Sequence, residues 1–164
     1  MNAIVVVDEQ WGIGKDNGLL FRLKKDMAFF RKTTTGKVIV VGAKTYDGFP
    51  NGALPNRVNI VLDDSGKQYP DALTVSSVAE LDRTLANFDT DDVFVCGGAS
   101  VYNLLIDRCK CAYVTKVAAD GNAQVFFPNL DERPAWRIVE QSEPVQDGEY
   151  TIKFCTYVNS TIMS

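Results

Sequence analysis

The amino-acid sequence predicts a single-domain α/β protein with a mostly parallel, twisted sheet, flanking helices and a C-terminal antiparallel hairpin. Short apolar runs rich in Val and Ile recur along the chain, and segments with the spacing of amphipathic helices separate them. Unbroken apolar runs are typical of strands covered on both faces, as in parallel sheets. After Trp136 the pattern changes to two strand-like segments around an Asp-Gly turn, which is typical of a hairpin.

The predicted elements alternate from the N-terminus. The strands lie at residues 3–7, 38–41, 58–62, 73–75, 93–96 and 111–117, and the helices at residues 23–32, 45–49, 78–87 and 99–106. The hairpin consists of residues 138–145 and 150–158, joined by a turn at 146–149. Because strand and helix alternate, right-handed crossovers into an open sheet are expected. We expect one domain at residues 1–160 and a frayed tail at 161–164.

Composition and charge exclude several classes of function. The net charge of −4 provides no basic surface for nucleic acid. The sequence shows neither a signal peptide nor a segment of membrane-spanning length, so we expect a cytoplasmic protein without a membrane partner. No long apolar stripe is left over for a subunit interface, which favours a monomer. The chain has no histidine and four cysteines without metal-site spacing, so we expect neither a bound metal nor imidazole catalysis.

Ligands of open α/β sheets bind near the carboxyl ends of the strands. Asp26, on the predicted helix at residues 23–32, is the first candidate for chemistry there. On a helix, Asp26 shares a face with Leu23, Met27 and Phe30, so its carboxylate points toward the core or a pocket wall. An unpaired buried carboxylate is costly. Asp26 therefore has a partner, is protonated or awaits a ligand donor. The structural alternative is a first-turn Asp stabilised by the helix dipole.

Two strand ends carry glycines where a phosphate could bind. Gly97-Gly98 lies between a predicted strand and a predicted helix, where backbone N–H groups can approach a ligand. Gly42-Ala43-Lys44-Thr45 places a cation and a hydroxyl at another helix start. A tight connection and an ordinary helix cap are the structural alternatives. Two such sites in one domain favour a dinucleotide, although the common Gly-x-Gly-x-x-Gly fingerprint is absent.

The glycine-rich segment at residues 11–18 has three glycines in eight residues, follows the first predicted strand and precedes the Asp26 helix. A mobile lid at the mouth of a pocket is one interpretation of such a segment, and a simple connector is the other.

Taken in order, these segments resemble dihydrofolate reductases over nearly the whole chain. Each motif is short, but their joint order and spacing are specific. The motifs are Gly12-Ile13-Gly14-Lys15-Asp16-Asn17, Leu23-x-x-Asp26-Met27-x-x-Phe30, Val41-Gly42-x-Lys44-Thr45-Tyr46, Leu54-Pro55-x-Arg57-x-Asn59-Ile60-Val61-Leu62, Gly97-Gly98-x-x-Val101-Tyr102, Tyr113-x-Thr115 and Phe127-Pro128. The resemblance implies that family's fold and the reduction of 7,8-dihydrofolate to 5,6,7,8-tetrahydrofolate by hydride transfer from NADPH, in one-carbon metabolism.

The same resemblance implies the substrate site. Asp26 and Thr115 would be the catalytic residues: Asp26 would accept hydrogen bonds from the pterin and favour protonation at N5, with Thr115 helping through a water and solvent delivering the proton. Arg57 would pair with the glutamate α-carboxylate of the substrate. The substrate-binding residues would be Ile4, Val5, Val6, Met27, Phe30, Phe49, Leu54, Arg57, Cys96 and Tyr102.

The cofactor site follows from the resemblance in the same way, including a cis peptide between Gly97 and Gly98. Its residues would be Val6, Ile13, Gly14, Asn17, Gly18, Gly42, Ala43, Lys44, Thr45, Leu62, Asp63, Asp64, Gly97, Gly98, Ala99, Ser100, Val101 and Tyr102. Ala43 stands where the family often has a basic residue for the 2′-phosphate, and Asp63-Asp64 puts carboxylates where hydroxyls usually lie. Because negative charges repel a phosphate, we predict a weakened preference for NADPH over NADH.

Two other functions stay open from the sequence. A reductase of the riboflavin-pathway type shares the sheet and the Gly-Gly turn but acts on a ribosylated pyrimidine. The segments of Phe30 and Arg57 favour folate, since that pyrimidine requires neither. A non-catalytic nucleotide-binding protein is the second alternative. Asp26 together with Thr115 argues against it, because a carboxylate on an apolar face costs free energy that binding alone does not require.

Overall fold

The computed structural model describes residues 1–16 and 18–162. Asn17 of the predicted cofactor site, and Met163 and Ser164 of the predicted tail, lie outside the described residues. Thr161, the first residue of that tail, donates its backbone N–H and its hydroxyl to Oδ1 of Asn159, at 3.0 and 2.7 Å.

Strands and helices alternate over the first two thirds of the chain, as predicted. Short 3₁₀ turns at Thr90–Asp92, Ile106–Arg108 and Leu130–Glu132 connect some of them. In chain order the elements are β1 (Asn2–Val7), β2 (Gly12–Lys15), β3 (Gly18–Leu19), α1 (Lys24–Thr34), β4 (Val38–Gly42), α2 (Ala43–Asp47), β5 (Val58–Leu62), β6 (Leu73–Val75), α3 (Val78–Leu85), β7 (Val93–Val95), α4 (Ala99–Leu105), β8 (Cys111–Val117), β9 (Val125–Phe126), β10 (Trp136–Gln141), β11 (Val145–Asp147) and β12 (Tyr150–Asn159).

The main sheet has the strand order β10-β12-β8-β1-β7-β4-β5-β6, and β11 also pairs with β12. All pairings from β8 to β6 are parallel, whereas β12 is antiparallel to each of its neighbours. This confirms the predicted mostly parallel sheet with an antiparallel C-terminal edge. In the register of β1 and β8, Val6 lies beside Thr115.

Side chains from both faces of the central strands are buried, which explains the unbroken apolar runs. Val38 and Val40 of β4 pack into a core cluster with α3 and α4, while Ile39 faces a second cluster with Ile4 and Phe94 on the α1 side. Each fully buried aliphatic side chain contributes about 1.5–3 kcal/mol through the hydrophobic effect. Within the described ranges, no helix combines the length and the apolar character needed to cross a bilayer.

The C-terminal hairpin differs from its prediction in two respects, the division of one strand and the length of the turn. The continuous strand expected at residues 138–145 is divided into β10 and β11, which pair end to end with the long strand β12. The register shifts between Ile138 and Glu140, and Pro144 lacks the N–H that a continuing ladder requires. Asp147 pairs with Tyr150, so the turn itself is Gly148-Glu149, with Gly148 at φ +62°.

A small second sheet, with the order β3-β2-β9, was not predicted. It contains the glycine-rich segment, in which Gly14 of β2 pairs with Leu19 of β3. The other edge of β2 pairs with β9, and Gln124 donates its backbone N–H to the Gly14 carbonyl at 2.8 Å. These strands are two to four residues long and lack an apolar alternation, so the sequence gives no strand signal there.

Candidate active site

Asp26 lies in the first turn of α1, over the carboxyl-terminal half of β8. The Thr115 hydroxyl of β8 donates a hydrogen bond of 2.7 Å to Oδ1 of Asp26. Thr115 is only 2% exposed and Asp26 is half-buried. The sequence left open whether Asp26 has a partner, is protonated or awaits a ligand donor, and the structure supplies a partner. The same hydrogen bond brings together the two residues predicted to be catalytic.

Burial dominates the ionisation of Asp26. Desolvation raises its pKa from 3.8 to about 6; the hydrogen bond from Thr115 opposes this rise, and the charge of Asp147 adds to it. A carboxyl group with this pKa is mostly ionised at neutral pH but gains a proton readily just below it. It can therefore accept hydrogen bonds from a ring nitrogen and an amino group while stabilising positive charge on a ligand.

An apolar cluster next to Asp26 contains half of the residues predicted to bind the substrate. Its buried members are Ile4, Ile39 and Phe94, and Phe30, Phe49, Leu54 and Cys96 pack against them. Burial raises the pKa of the Cys96 thiol, so Cys96 stays neutral and acts as an apolar wall. Strands β1, β4 and β7 and helix α1 thus contribute to one apolar surface.

The remaining predicted substrate residues lie in different environments. Val5 faces the opposite side of the sheet from Ile4 and Val6, in the cluster packed on α4, because successive strand residues alternate between faces. Met27 is 55% exposed, so the buried face of α1 runs through Asp26 and Phe30 rather than through Met27.

Arg57 is held near the end of this apolar surface. Its Nη1 donates to the Thr34 hydroxyl at 3.1 Å, and its Nε donates to the Pro55 carbonyl at 3.0 Å. The guanidinium carbon lies 6.0 Å from the centroid of the Phe30 ring. A guanidinium has five N–H groups, so donors remain for a carboxylate.

The two glycine turns predicted to bind phosphates are in contact with each other. The Gly42 N–H donates to the Gly97 carbonyl at 2.9 Å, and the peptide between Gly97 and Gly98 is cis. A Cβ atom placed on Gly97 or Gly98 would lie 3.4 or 3.3 Å from the Thr45 hydroxyl. The turns thus pack backbone against backbone at the starts of α2 and α4, next to Ala99 and Val101. Lys44 and Ser100 are exposed, Tyr102 is buried, and its hydroxyl donates to the Ile4 carbonyl at 2.7 Å.

Carboxylates follow β5, where the adenosine side of the cofactor is predicted. Oδ2 of Asp63 accepts from the Tyr69 hydroxyl at 2.7 Å, and Oδ1 accepts from the Ser65 N–H at 3.0 Å. These hydrogen bonds, that of Tyr69 first, lower the pKa of Asp63, so it is ionised at neutral pH. Asp64 is exposed, while Leu62 and Ala43 are half-buried. Lys67 lies 3.8 Å from Asp47 and 4.9 Å from the Tyr69 ring centroid.

Lys67 was missed in the sequence, because only the fold brings it to Asp47. Gln124 was missed for the same reason: its side-chain oxygen accepts the Asp16 N–H at 2.9 Å and ties the glycine-rich segment to the chain before β9. In that segment Ile13 packs on the core, whereas Gly18 is exposed and Leu19 is 74% exposed.

Asp8 also escaped sequence analysis, although it directly follows β1. It is 3% exposed, and its carboxylate accepts backbone N–H groups from Gly12 at 2.7 Å, Gln10 at 2.9 Å and Gly121 at 2.9 Å. An Asp two residues before a turn N–H is a recognisable Asx signal, but the bond to Gly121 crosses 113 residues. Asp8 thus joins the entry to the glycine-rich segment to the loop after β8.

Gly12 has no room for a side chain beside Asp8. A Cβ atom there would lie 2.3 Å from the Ala123 Cβ and 2.9 Å from Oδ1 of Asp8. We predict that Gly12→Ala lowers the free energy of unfolding by about 2 kcal/mol, since the Ala123 Cβ moves only with its backbone and three backbone N–H groups hold the Asp8 carboxylate. Urea unfolding measures this. Gly18→Ala is the control, because its nearest atom would be 3.8 Å away. Equal stability of both variants and the wild type would contradict the prediction.

Among the described residues, no group of three or more Cys, Asp or Glu side chains could hold a metal ion. The four cysteines are free thiols.

Comparisons with known proteins agree on one family. The family model "Dihydrofolate reductase" matches residues 1–159. Dihydrofolate reductase from Bacillus subtilis is 31% identical over 160 residues, covering 96% of this chain and 93% of that protein. The enzyme from Enterococcus faecium is 32% identical over 151 residues, covering 90% and 89%.

A solved structure shows the same likeness in three dimensions. Dihydrofolate reductase from Enterococcus faecalis, complexed with NADP(H) and RAB-propyl, superposes with a TM-score of 0.85 at 31% identity, covering 96% of this chain and 95% of that one. The family model matches nearly the whole chain, the fold is similar, and Asp26 is paired with Thr115. This chain therefore belongs to the dihydrofolate reductase family.

Proposed function

We propose that this protein reduces 7,8-dihydrofolate to 5,6,7,8-tetrahydrofolate by hydride transfer from NADPH, with Asp26 and Thr115 as its catalytic residues. The hydrogen bond between Thr115 and Asp26 carries the proposal, because it places a carboxyl group with a pKa near neutrality against an apolar surface. In the described part of the chain, Asp26 is the carboxyl group that combines a pKa of about 6 with a position against this apolar surface.

Asp26 accepts hydrogen bonds from the pterin ring nitrogen and its amino group. Ile4, Phe30 and Phe49 exclude water from the ring, which strengthens each electrostatic interaction with the carboxylate. The negative charge favours the protonated form of the pterin at N5, and solvent supplies that proton. Arg57, held by Thr34 and Pro55, pairs with the α-carboxylate of the substrate.

The glycine turns fit a dinucleotide. A Cβ on Gly42 would lie 3.0 Å from Val101 and a Cβ on Gly98 would lie 3.3 Å from the Thr45 hydroxyl, while Gly97 has φ +124°, a conformation that favours glycine. Backbone N–H groups at the starts of α2 and α4 would hold the phosphates of the dinucleotide, helped by Lys44 and the Thr45 hydroxyl. When bound, NADPH supplies the hydride from its nicotinamide ring. Ile13, Gly14, Val6 and Tyr102 would border that ring.

Steady-state turnover tests the proposal. Reduced-cofactor absorbance should fall when purified protein receives NADPH and 7,8-dihydrofolate, and tetrahydrofolate should appear in equal amount. A ribosylated pyrimidine of the riboflavin pathway serves as the alternative substrate. Turnover of the pyrimidine alone would overturn the proposal, and so would folded protein that turns over neither compound.

Cofactor choice gives a second prediction. Ionised Asp63 and exposed Asp64 lie on the side where the 2′-phosphate of NADPH is expected, and Ala43 provides no cation there. We therefore expect the KM for NADPH to be less than about a hundredfold below that for NADH. Ala43→Arg should lower the KM for NADPH relative to the KM for NADH, and Asp64→Ser should do so less strongly. A wild-type ratio above a hundredfold contradicts the prediction.

We further propose that the protein is a cytoplasmic monomer. Four unpaired thiols are typical of a reducing compartment, and β10, at the edge of the sheet, carries charged Arg137 and Glu140 and a register shift that oppose pairing with another copy. Light scattering of the purified protein tests the oligomeric state.

A further inference from the structure

Helix α1, which carries Asp26, has no N-terminal cap of its own. The N-cap residue is Leu23, whose side chain cannot accept a hydrogen bond. The first backbone N–H groups of a helix have no partner inside it. The acceptor comes instead from Asp147, at the end of β11: its Oδ2 accepts the Lys25 N–H at 2.8 Å and the Asp26 N–H at 3.4 Å.

Two other contacts tie the same helix end to the hairpin of β11 and β12. Nζ of Lys25 donates to the Gln146 carbonyl at 2.6 Å. Leu23 is buried in a cluster with Val117 and Ile152, and Val145 and Tyr150 pack against it. The hairpin therefore determines where the first turn of α1 lies relative to β8, which carries Thr115.

Asp147 is also a buried charge. It is 5% exposed, although it precedes a surface turn, and its charge acts on the Asp26 carboxyl group. A turn signal alone does not require burial of the Asp side chain, since Asx turns form equally well at the surface. A neutral Asn at this place would provide the same acceptor without a second negative charge near Asp26.

We propose that Asp147 is a positioning residue for Asp26: its carboxylate fixes the first turn of α1 and places a second negative charge beside the Asp26 carboxyl group. The inference rests on the proposed function, in which Asp26 binds the pterin. Repulsion between the two carboxylates favours the state in which Asp26 is protonated or bears positively charged ligand groups. Asp147 thereby strengthens the interaction of Asp26 with a protonated pterin without touching it.

The other charged and titratable groups around Asp26 are neutral, bonded elsewhere or exposed, so Asp147 is the charge to test. From α4, Tyr102 lies near Asp26, but its hydroxyl is bonded to the Ile4 carbonyl, and burial holds its pKa well above the usual value. From β8, Thr115 is neutral. On α1 itself, the Lys25 ammonium is directed to Gln146, and Lys24 is exposed.

The test is an NMR titration of ¹³C-labelled Asp side chains in the protein without ligands. Asp26→Asn identifies the Asp26 signal by its loss. In Asp147→Asn, the pKa of Asp26 should fall below its wild-type value, because the repelling charge is gone. Glu149→Gln is the matched control: it removes an exposed carboxylate from the same hairpin and should leave the pKa of Asp26 unchanged. In Asp147→Glu, which keeps the charge, the pKa should stay raised.

Kinetic measurements on the same variants provide a second test. The pH profile of hydride transfer should move to lower pH in Asp147→Asn and stay in place in Glu149→Gln. An Asp26 pKa that is unchanged or higher in Asp147→Asn, or that falls equally in Glu149→Gln, would overturn the proposal. The titration requires no turnover. Failure of the wild type to reduce dihydrofolate would therefore count against the proposed function and leave the role of Asp147 to be decided by the titration.

Discussion

Asp26→Asn is expected to lower kcat/KM for dihydrofolate by about two to three orders of magnitude, the usual scale for losing a group that assists proton transfer. Asn keeps the size of the side chain and can still accept the Thr115 hydroxyl. It cannot carry the negative charge that stabilises a protonated pterin. The loss of kcat/KM should therefore come from the missing negative charge of Asp26 rather than from disrupted packing.

Steady-state kinetics on dihydrofolate measures this loss, and Asp71→Asn is the control. Asp71 is an exposed carboxylate outside the cluster that forms the substrate surface, so its replacement should leave kcat/KM unchanged. The loss in Asp26→Asn should be smaller at acidic pH, because substrate then arrives protonated from solvent. Wild-type activity in Asp26→Asn would show that the reaction does not depend on the carboxylate.

The same substitution should make the protein more stable at neutral pH. The pKa of Asp26 is raised from 3.8 to about 6, so the folded protein binds a proton at this site more tightly than the unfolded chain. Below the unfolded pKa of 3.8 both states are protonated, and burial of Asp26 costs little. As the pH rises through about 6, the folded state must ionise a buried group, and stability is lost.

Above that pH the cost reaches on the order of 2–3 kcal/mol, which Asn avoids. Urea unfolding at about pH 7.5 and about pH 5 should show a gain for Asp26→Asn that is larger at the higher pH. Asp71→Asn should show no such gain, because its carboxylate is exposed. A gain that grows toward acid, or a loss of stability in Asp26→Asn, would contradict the stated cause of the raised pKa.

These two results would together show that Asp26 is retained at the expense of stability. A core that buried an apolar residue on this face of α1 would be more stable, but it could not orient a pterin.

The elements that could be predicted from sequence are those whose signal is local. The runs at Val58–Leu62 and Cys111–Val117 coincide with the strands because both faces of these strands are buried, which requires continuous apolar residues. Helix α1 was displaced by only a residue or two. Its buried face was misplaced at Met27, because the apolar spacing did not show which residues the sheet would cover.

The elements that escaped prediction depend on long-range contacts. The strands β2, β3 and β9 form only because the chain on either side of them returns to the same place. Asp147 reads as a turn residue, and nothing near it indicates that its carboxylate accepts N–H groups more than 120 residues away. The roles of Thr115 and Arg57 came from resemblance to a family, since neither residue carries a local pattern that indicates chemistry.

The most direct test of the account is the mass of the product formed from NADPH in which deuterium replaces both hydrogens on C4 of the nicotinamide ring. We expect the wild type to form tetrahydrofolate that carries one deuterium on its pterin ring, and Asp26→Asn to form almost none. Absence of tetrahydrofolate, or tetrahydrofolate without deuterium, would contradict hydride transfer from the cofactor to the pterin.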